Sequence, residues 1–397
     1  MTLTEQRRTR IFILLYLAYS SIYIARLNLS VSSPALVEAL IAGKEQIGVL
    51  GSVFSVAYAC GRILNGSLAD RIAPYRMICA GLLLIAVSSV VYSFFPPYAA
   101  LLILWGINGY GQSMLWSSVL RLLSEIYPPE QARRRSTHMA GAVATGNILG
   151  ILVSTAVLQW LPLRFVFLVP GVLSFLMAFA VLHSTGNIPV PPAPRKRHLP
   201  MWKLLTKKEI LIALIPAMFQ GAMKDNVSLW MTLFFVEKFG IDLARSSGFI
   251  LLIPVVGLAG RTLYPVLFRL TKERENIVMA IAFLLCAAFA VPLTAGVPSP
   301  AAATVCLSGI YAAASIANTS IVSIFPLHFT DTGNVASVSG IMDFAAYGGA
   351  AVATAVYGRL IAASGYETMF ASWIGLSVVA IAVSFILTAM MARKKDQ

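Results

Sequence analysis

Twelve apolar runs, each long enough to cross a bilayer, recur along this chain of 397 residues. They restrict it to a helical membrane fold. The runs lie at about 11–35, 46–68, 75–95, 98–124, 136–160, 163–183, 209–235, 246–268, 276–296, 299–325, 334–357 and 366–391. They are long and continuous, whereas the strands of a membrane barrel would be short and alternating. Only 12% of the residues are charged, against about 25% in soluble domains, and mean hydropathy is +0.80. The expected fold is an all-α membrane protein with twelve transmembrane helices in two six-helix halves, 1–183 and 209–397. Between them, 184–208 reads as a cytoplasmic linker, proline-rich through Pro189, Pro191, Pro192 and Pro194 and then basic. The prolines make it a semi-rigid spacer, and the cations hold it at the inner membrane face.

The net charge of +14 raises the question of a nucleic-acid partner, and its placement argues against one. With the N-terminus in the cytoplasm, 20 of the 30 Lys and Arg fall in cytoplasmic segments. Five fall in outer loops: Lys44, Arg164, Lys238, Arg245 and Arg359. The positive-inside rule thus puts both termini in the cytoplasm of a multi-pass protein of the cell inner membrane. No basic stripe interleaved with aromatics is present to bind nucleic acid.

The remaining five cations, Arg26, Arg62, Arg121, Lys224 and Arg261, lie inside apolar runs. Four of them belong to an internal repeat. Arg26-Leu27-Asn28-Leu29-Ser30 is matched by Lys224-Asp225-Asn226-Val227-Ser228, a spacing of 198 residues from 26 to 224. Gly61-Arg62-Ile63-Leu64 is matched by Gly260-Arg261-Thr262-Leu263, a spacing of 199 from 62 to 261. A cation in a hydrophobic span is costly and marks a functional site by default. Paired by a repeat, the four point to two homologous halves that serve one anion, the arrangement of transporters built from parallel six-helix repeats. The alternative for Arg26 and Lys224 is an ion pair with Asp225 or Asp343 that only holds helices together. Arg62 and Arg261 lie about a turn nearer the cytoplasm, where a long side chain can also snorkel. Arg121, with Glu125 one turn on, reads as a structural or gating pair. Asp343 either carries a coupling proton or balances an Arg.

Aromatics add to this picture. Tyr19, Tyr23 and Arg26 share one face of the first span, and Trp116, Trp230 and Tyr347 are further candidates; ordinary helix packing is the alternative for each. Gly141, Gly146 and Gly150 in the fifth span, and Gly340, Gly348 and Gly349 in the eleventh, read as places where helices close on each other. The cysteines, Cys60, Cys79, Cys286 and Cys306, lie in apolar runs without close spacing and read as small core residues. His328 reads as a surface residue. The first run is too long for a signal-peptide core and carries Arg26, so it reads as a retained helix.

Nothing in the chain builds an enzyme. There is no G-x-x-x-x-G-K-[ST] loop for ATP phosphates, no zinc-like His/Cys spacing and no Ser-His-Asp set among His138, His183, His198 and His328. No cofactor or metal is expected.

Between the second and third runs stands Gly66-Ser67-Leu68-Ala69-Asp70-Arg71-Ile72-Ala73-Pro74-Tyr75-Arg76. It resembles the loop signature of the major facilitator superfamily, in which Gly is followed by Asp-Arg and a further basic residue. Gly66 allows close helix approach, while Asp70 can cap a helix or pair with a cation and Arg71 supplies the charge, so the loop can latch one conformation. The matching loop of the second half, 267–274, keeps the basic character and lacks the Asp.

Within that superfamily the chain resembles the organophosphate:phosphate antiporters. Tyr23-Ile24-Ala25-Arg26-Leu27-Asn28 is similar to the family's aromatic-x-x-Arg-x-Asn. Gly61-Arg62 stands where the family commonly has Lys. Lys224-Asp225-Asn226-Val227-Ser228-Leu229-Trp230 stands where it usually opens with Arg and keeps the Trp. Tyr347-Gly348-Gly349, Tyr357-Gly358 and Gly365-Tyr366 resemble its helix 11–12 region. The resemblance implies the superfamily fold, substrate contacts at Arg26 and Lys224, and a supporting cation at Arg62. Two departures are plain: 139–146 holds no His where glycerol-phosphate transporters carry a substrate-site His, and Asp225 and Asp343 are added.

The expected function is secondary active transport of a small organic anion, an organophosphate or a carboxylate, by alternating access. Arg26, Arg62, Lys224 and Arg261 against Asp225 and Asp343 leave a core charge of +2. That charge is unfavourable in a low-dielectric setting until an anion relieves it. Candidate contacts are Arg26, Lys224, Arg62, Arg261, Tyr23, Asn28, Asn226, Trp230 and Tyr347, with Asp225 and Asp343 for coupling or charge balance. The partners are the anion and the lipid bilayer; a proton or phosphate counter-substrate is open, and a monomer is expected. The alternatives are a transporter-like sensor of an organophosphate and a proton-driven exporter of hydrophobic compounds.

Overall fold

The computed structural model describes residues 4–69, 72–186, 188, 201–329 and 334–395. Most of the proposed linker, including its five prolines, and the Asp70-Arg71 pair of the loop signature lie outside the described residues. Those described form helices, tight turns and loops, and no strand. Nine helical stretches among them are each long and apolar enough to cross a membrane. The other three expected spans are helical as well, so the protein is a multi-pass, all-α membrane protein.

By chain contacts the molecule divides into two units. The first comprises residues up to Gly43 and from Val53 to Arg195; the second comprises Lys44–Ser52 and Lys196 onward. The first unit is built from α1 (Glu5–Ser21), α2 (Ile24–Glu38), most of α3 (Lys44–Ala69), α4 (Pro74–Tyr92), α5 (Tyr98–Ser113), α6 (Leu115–Ile126), α7 (Pro129–Trp160) and α8 (Phe165–Thr185). The second holds the short α9 (Met201–Leu204), then α10 (Lys208–Phe239), α11 (Leu243–Leu270), α12 (Glu275–Thr294), α13 (Pro300–Asn318), α14 (Val335–Ser364) and α15 (Tyr366–Lys395).

Three runs that read as continuous spans are interrupted. The first breaks at Ile22–Tyr23, the fourth at Met114, and the tenth passes from α13 into a wide π turn at Thr319–Ile324 and a tight turn at Phe325–Phe329. The same side-chain chemistry sits at each break. Ser21 donates to the Ala18 carbonyl at 2.8 Å, Ser113 to Tyr110 at 2.6 Å and Thr319 to Ser315 at 3.0 Å. A hydroxyl that bonds back to a carbonyl of the preceding turn competes with the helical ladder and bends the helix.

In the first unit α7 packs along α1 and α2, and α4 packs against α8 and α5. Glycine makes the α7 contact close: a Cβ at Gly146 would lie 2.8 Å from the Ser20 carbonyl oxygen, and one at Gly150 would lie 2.8 Å from that of Tyr23. In the second unit α10 packs along α14, and α12 along α15 and α13. Gly221 of α10 meets the Ala346 backbone, and Gly349 of α14 meets the Met218 backbone. Gly340 and Gly348 differ from expectation. A Cβ at either would meet no described heavy atom within 4 Å, because both point away from the contact.

Of three further expectations, one changes and two gain a partner. Cys79, Cys286 and Cys306 are buried, but Cys60 is exposed; all four thiols are free. His328 is exposed, as expected, and its Nε2 lies 2.6 Å from Oε1 of buried Glu275. Arg121 is a structural anchor, donating from Nη1 to the Ile72 carbonyl at 3.1 Å and so tying α6 to the loop before α4.

Charges at one end of the second unit also pair. Lys44 bridges Glu237 at 2.8 Å, and the same carboxylate accepts from Tyr366 at 2.9 Å. Arg359 bridges Glu45 at 2.6 Å, and Lys238 bridges Glu367. The first turns of α3 are thereby fixed to α10, α14 and α15 within that unit.

Candidate functional site

Arg26 is the best-defined candidate. It projects from the first turn of α2, just past the break, where the Tyr23 and Arg26 amides bond three residues back, to Ser20 and Tyr23, each at 3.2 Å. Its guanidinium carbon lies 5.8 Å from the Tyr23 ring centroid and 5.2 Å from those of Phe54 and Tyr58 on α3. Phe54 and Tyr58 stack at 6.2 Å with 15° between their planes. Three π faces around one half-buried cation offset part of its desolvation, each such contact being worth about 0.5–2 kcal/mol. They leave the guanidinium edges, which carry the N–H donors, as the groups suited to a bidentate carboxylate or phosphate.

The cage rests on a rigid aromatic core. Phe54 packs on Trp105 at 5.9 Å, Trp105 on Tyr92 at 5.4 Å and Tyr92 on Phe167 at 4.3 Å. Tyr19 packs on Tyr23 at 6.0 Å and on Trp116 at 5.1 Å, which places both of these candidate aromatics in the wall behind the cage. Phe54 and Tyr58 are absent from the sequence reading. Their signal was spacing: positions 54, 58 and 62 recur at i, i+4 and i+8, so both rings share the α3 stripe that carries Arg62. Arg62 is half-buried. Beside it Asn65 donates to Ser113 at 2.8 Å and accepts from Tyr110 at 3.3 Å, joining α3 to α5.

In the second unit Lys224 and Asp225 are half-buried on α10, Arg261 on α11, and Asp343 and Tyr347 on α14. The two asparagines of the repeat stand apart from these. Asn28 is fully buried and donates to the Val166 carbonyl at 3.2 Å, fastening α2 to α8. Asn226 is fully buried, donates to Ala222 at 2.7 Å and accepts from the Trp230 indole at 3.0 Å. Trp230 is itself fully buried. Asn28 thus joins two helices, Asn226 and Trp230 bond within α10, and the polar groups of all three have protein partners. Gly66 lies within α3. Among the described residues no group of His, Cys, Asp and Glu could hold a metal ion.

The Major Facilitator Superfamily model matches residues 15–354. A probable hexose phosphate transport protein of Chlamydia trachomatis is 25% identical over 185 residues, 46% of this chain and 40% of that protein. The glycerol-3-phosphate transporter of Bacillus subtilis is 24% identical over 223 residues, 52% of this chain and 50% of that protein. The chain thus spans about half the length of the curated relatives it matches, and its resemblance to the organophosphate:phosphate antiporters holds. A bacterial homologue of the lysosomal transporter Spinster, solved inward-facing and occupied, superposes with a TM-score of 0.80 at 15% identity, covering 97% of this chain and 98% of that one. Twelve apolar runs, an internal repeat with cations inside the spans and a match over most of the length lead to one conclusion: the chain belongs to the Major Facilitator Superfamily, whose members are membrane transporters.

Proposed function

We propose that the protein is a secondary transporter that moves a small organic anion by alternating access between two six-helix halves, 1–183 and 209–397. The observation that carries this reading is the caged guanidinium of Arg26, repeated 198 residues later by Lys224 in the corresponding span. A cation kept at mid-span is costly and calls for an anionic partner. Arg supplies a bidentate fork and Lys a point charge, and together they suit one carboxylate or phosphate group.

The relatives' names put phosphate esters first among candidate substrates. The absence of a His in 139–146 and the added Asp225 and Asp343 favour a less charged species, a carboxylate or a singly ionised phosphate. Exchange follows if the empty, positively charged carrier reorients poorly; phosphate or a proton would then be the counter-substrate. The distribution of Lys and Arg supports both termini in the cytoplasm, and the bacterial relatives support the cell inner membrane.

The test is uptake into proteoliposomes. Arg26→Ala and Lys224→Ala should each abolish anion uptake while the purified proteins keep the parent's melting behaviour. Parent-level transport by either variant would remove that residue from substrate binding.

A further inference from the structure

Gln220 lies on α10 one turn before Lys224, so the two side chains leave the same face of the helix. It is 0% exposed. Neither its amide nitrogen nor its amide oxygen has a hydrogen-bond partner among the described residues. In the other buried glutamine among the described residues, Gln112, only the amide oxygen lacks a partner, since its nitrogen donates to Asn108 at 2.7 Å. A buried amide with nothing to bond is unfavourable, and native structures keep one only for a reason.

Packing is not that reason. At the repeat spacing that relates Lys224 to Arg26, the counterpart of Gln220 is Ile22, an apolar side chain buried to 3% exposure. The fold therefore accepts a hydrocarbon at this place in one half and carries an amide in the other. The next residue, Gly221, packs directly on the α14 backbone at Ala346, so this stretch of α10 is held closely against its neighbour.

An amide both donates and accepts, whereas a carboxylate or phosphate oxygen only accepts. The group that matches an amide in both senses is a hydroxyl. About one helical turn, 5.4 Å of rise, separates the two residues along α10, a span suited to a hydroxyl on the carbon body of an anion held at Lys224. We infer that Gln220 is a specificity-determining residue, reading a hydroxyl on the anion bound at Lys224, so that the site prefers a hydroxylated organic anion over its deoxy counterpart. This rests on the anion-transport reading above. A site that hydrogen-bonds a substrate hydroxyl discriminates strongly against the analogue lacking it, because the protein group is then left unpaired.

The experiment compares glycerol 3-phosphate with propyl phosphate, and glycerate with propanoate, by binding to the purified full chain. The parent should bind at least one hydroxylated probe more tightly than its deoxy partner by about tenfold or more. Gln220→Leu, close in shape, should lose that preference by weakening the hydroxylated probe alone, leave the deoxy probe unchanged, and raise the melting temperature of the empty protein. Gln220→Met serves as a second apolar variant should Leu fail to fold. A preference retained in the variant, equal weakening of both probes, or no hydroxyl preference in the parent overturns the assignment. Binding of none of the four probes by the parent overturns the anion reading itself, and this assignment with it.

Discussion

Gly349→Ala adds one methyl group where α10 and α14 leave no room. A Cβ at Gly349 falls under 3.0 Å from the Met218 carbonyl oxygen, carbonyl carbon and Cα, all backbone atoms. Relief requires shifting one helix against the other, because no rotamer can give way. The adjacent residue is the internal control, since a Cβ at Gly348 meets no described heavy atom within 4 Å. In an open helix interior, Gly→Ala removes backbone entropy from the unfolded chain and stabilises by about 0.5–1 kcal/mol. Overpacking a tight contact costs about 1–3 kcal/mol. The two single-methyl variants should therefore differ by about 1.5–4 kcal/mol. For a unit of this size each kcal/mol moves the melting temperature by about 2–4 °C, so the gap should be at least about 3 °C, with Gly348→Ala above the parent and Gly349→Ala below it. The assay is thermal unfolding of detergent-purified protein at one fixed scan rate, since unfolding of such proteins is governed by rate as well as equilibrium. Melting of Gly349→Ala at or above the parent temperature would refute the close-contact reasoning. So would two variants that cannot be separated.

Three further outcomes follow from the same structure. Asn226→Leu should destabilise by about 1–3 kcal/mol because it strands the buried Trp230 indole N–H; the loss should shrink in a Trp230→Phe background, and additive losses in thermal unfolding would deny the coupling. His328→Ala leaves the Glu275 carboxyl, 6% exposed, without its 2.6 Å partner; it should cost about 1–3 kcal/mol, with partial recovery on adding Glu275→Gln, and no recovery in a denaturation series would count against the pair. Asp343→Asn should retain anion exchange in proteoliposomes; a lost response to an imposed pH gradient would identify it as the proton carrier, and a response equal to the parent's would exclude that role.

The mixed record of the glycines shows where reading a sequence stops. Gly348 and Gly349 are adjacent and chemically identical, yet one faces the α10 backbone and the other faces open space. A helix turns about 100° per residue, and only the packing partner says which direction matters. The cage around Arg26 has the same character. Its cation and Tyr23 come from neighbouring positions, but Phe54 and Tyr58 arrive from α3, and no local pattern announces which helix will lie alongside. The repeat's asparagines show the same limit from the other side. Proximity to a cation inside a span made Asn28 and Asn226 candidate ligands, and in the fold they bond to Val166 in one case and to Ala222 and Trp230 in the other.

What the sequence determined by itself is everything carried by length, hydropathy and spacing along one dimension. The number of spans, the helical class, the two-half repeat and the placement of Arg26 and Lys224 inside spans all belong here, because an apolar run of some twenty residues has one stable form in a bilayer. What only the tertiary structure decided is the division of labour among polar side chains and the breaks in three spans. Each depends on a competition between local and distant partners. A hydroxyl bonds back to its own helix, an amide finds a carbonyl on another, and Glu275 meets a histidine brought in by a π turn some fifty residues along. Those choices are made by which groups the packed helices leave without water, and that is a property of the assembled fold rather than of any segment.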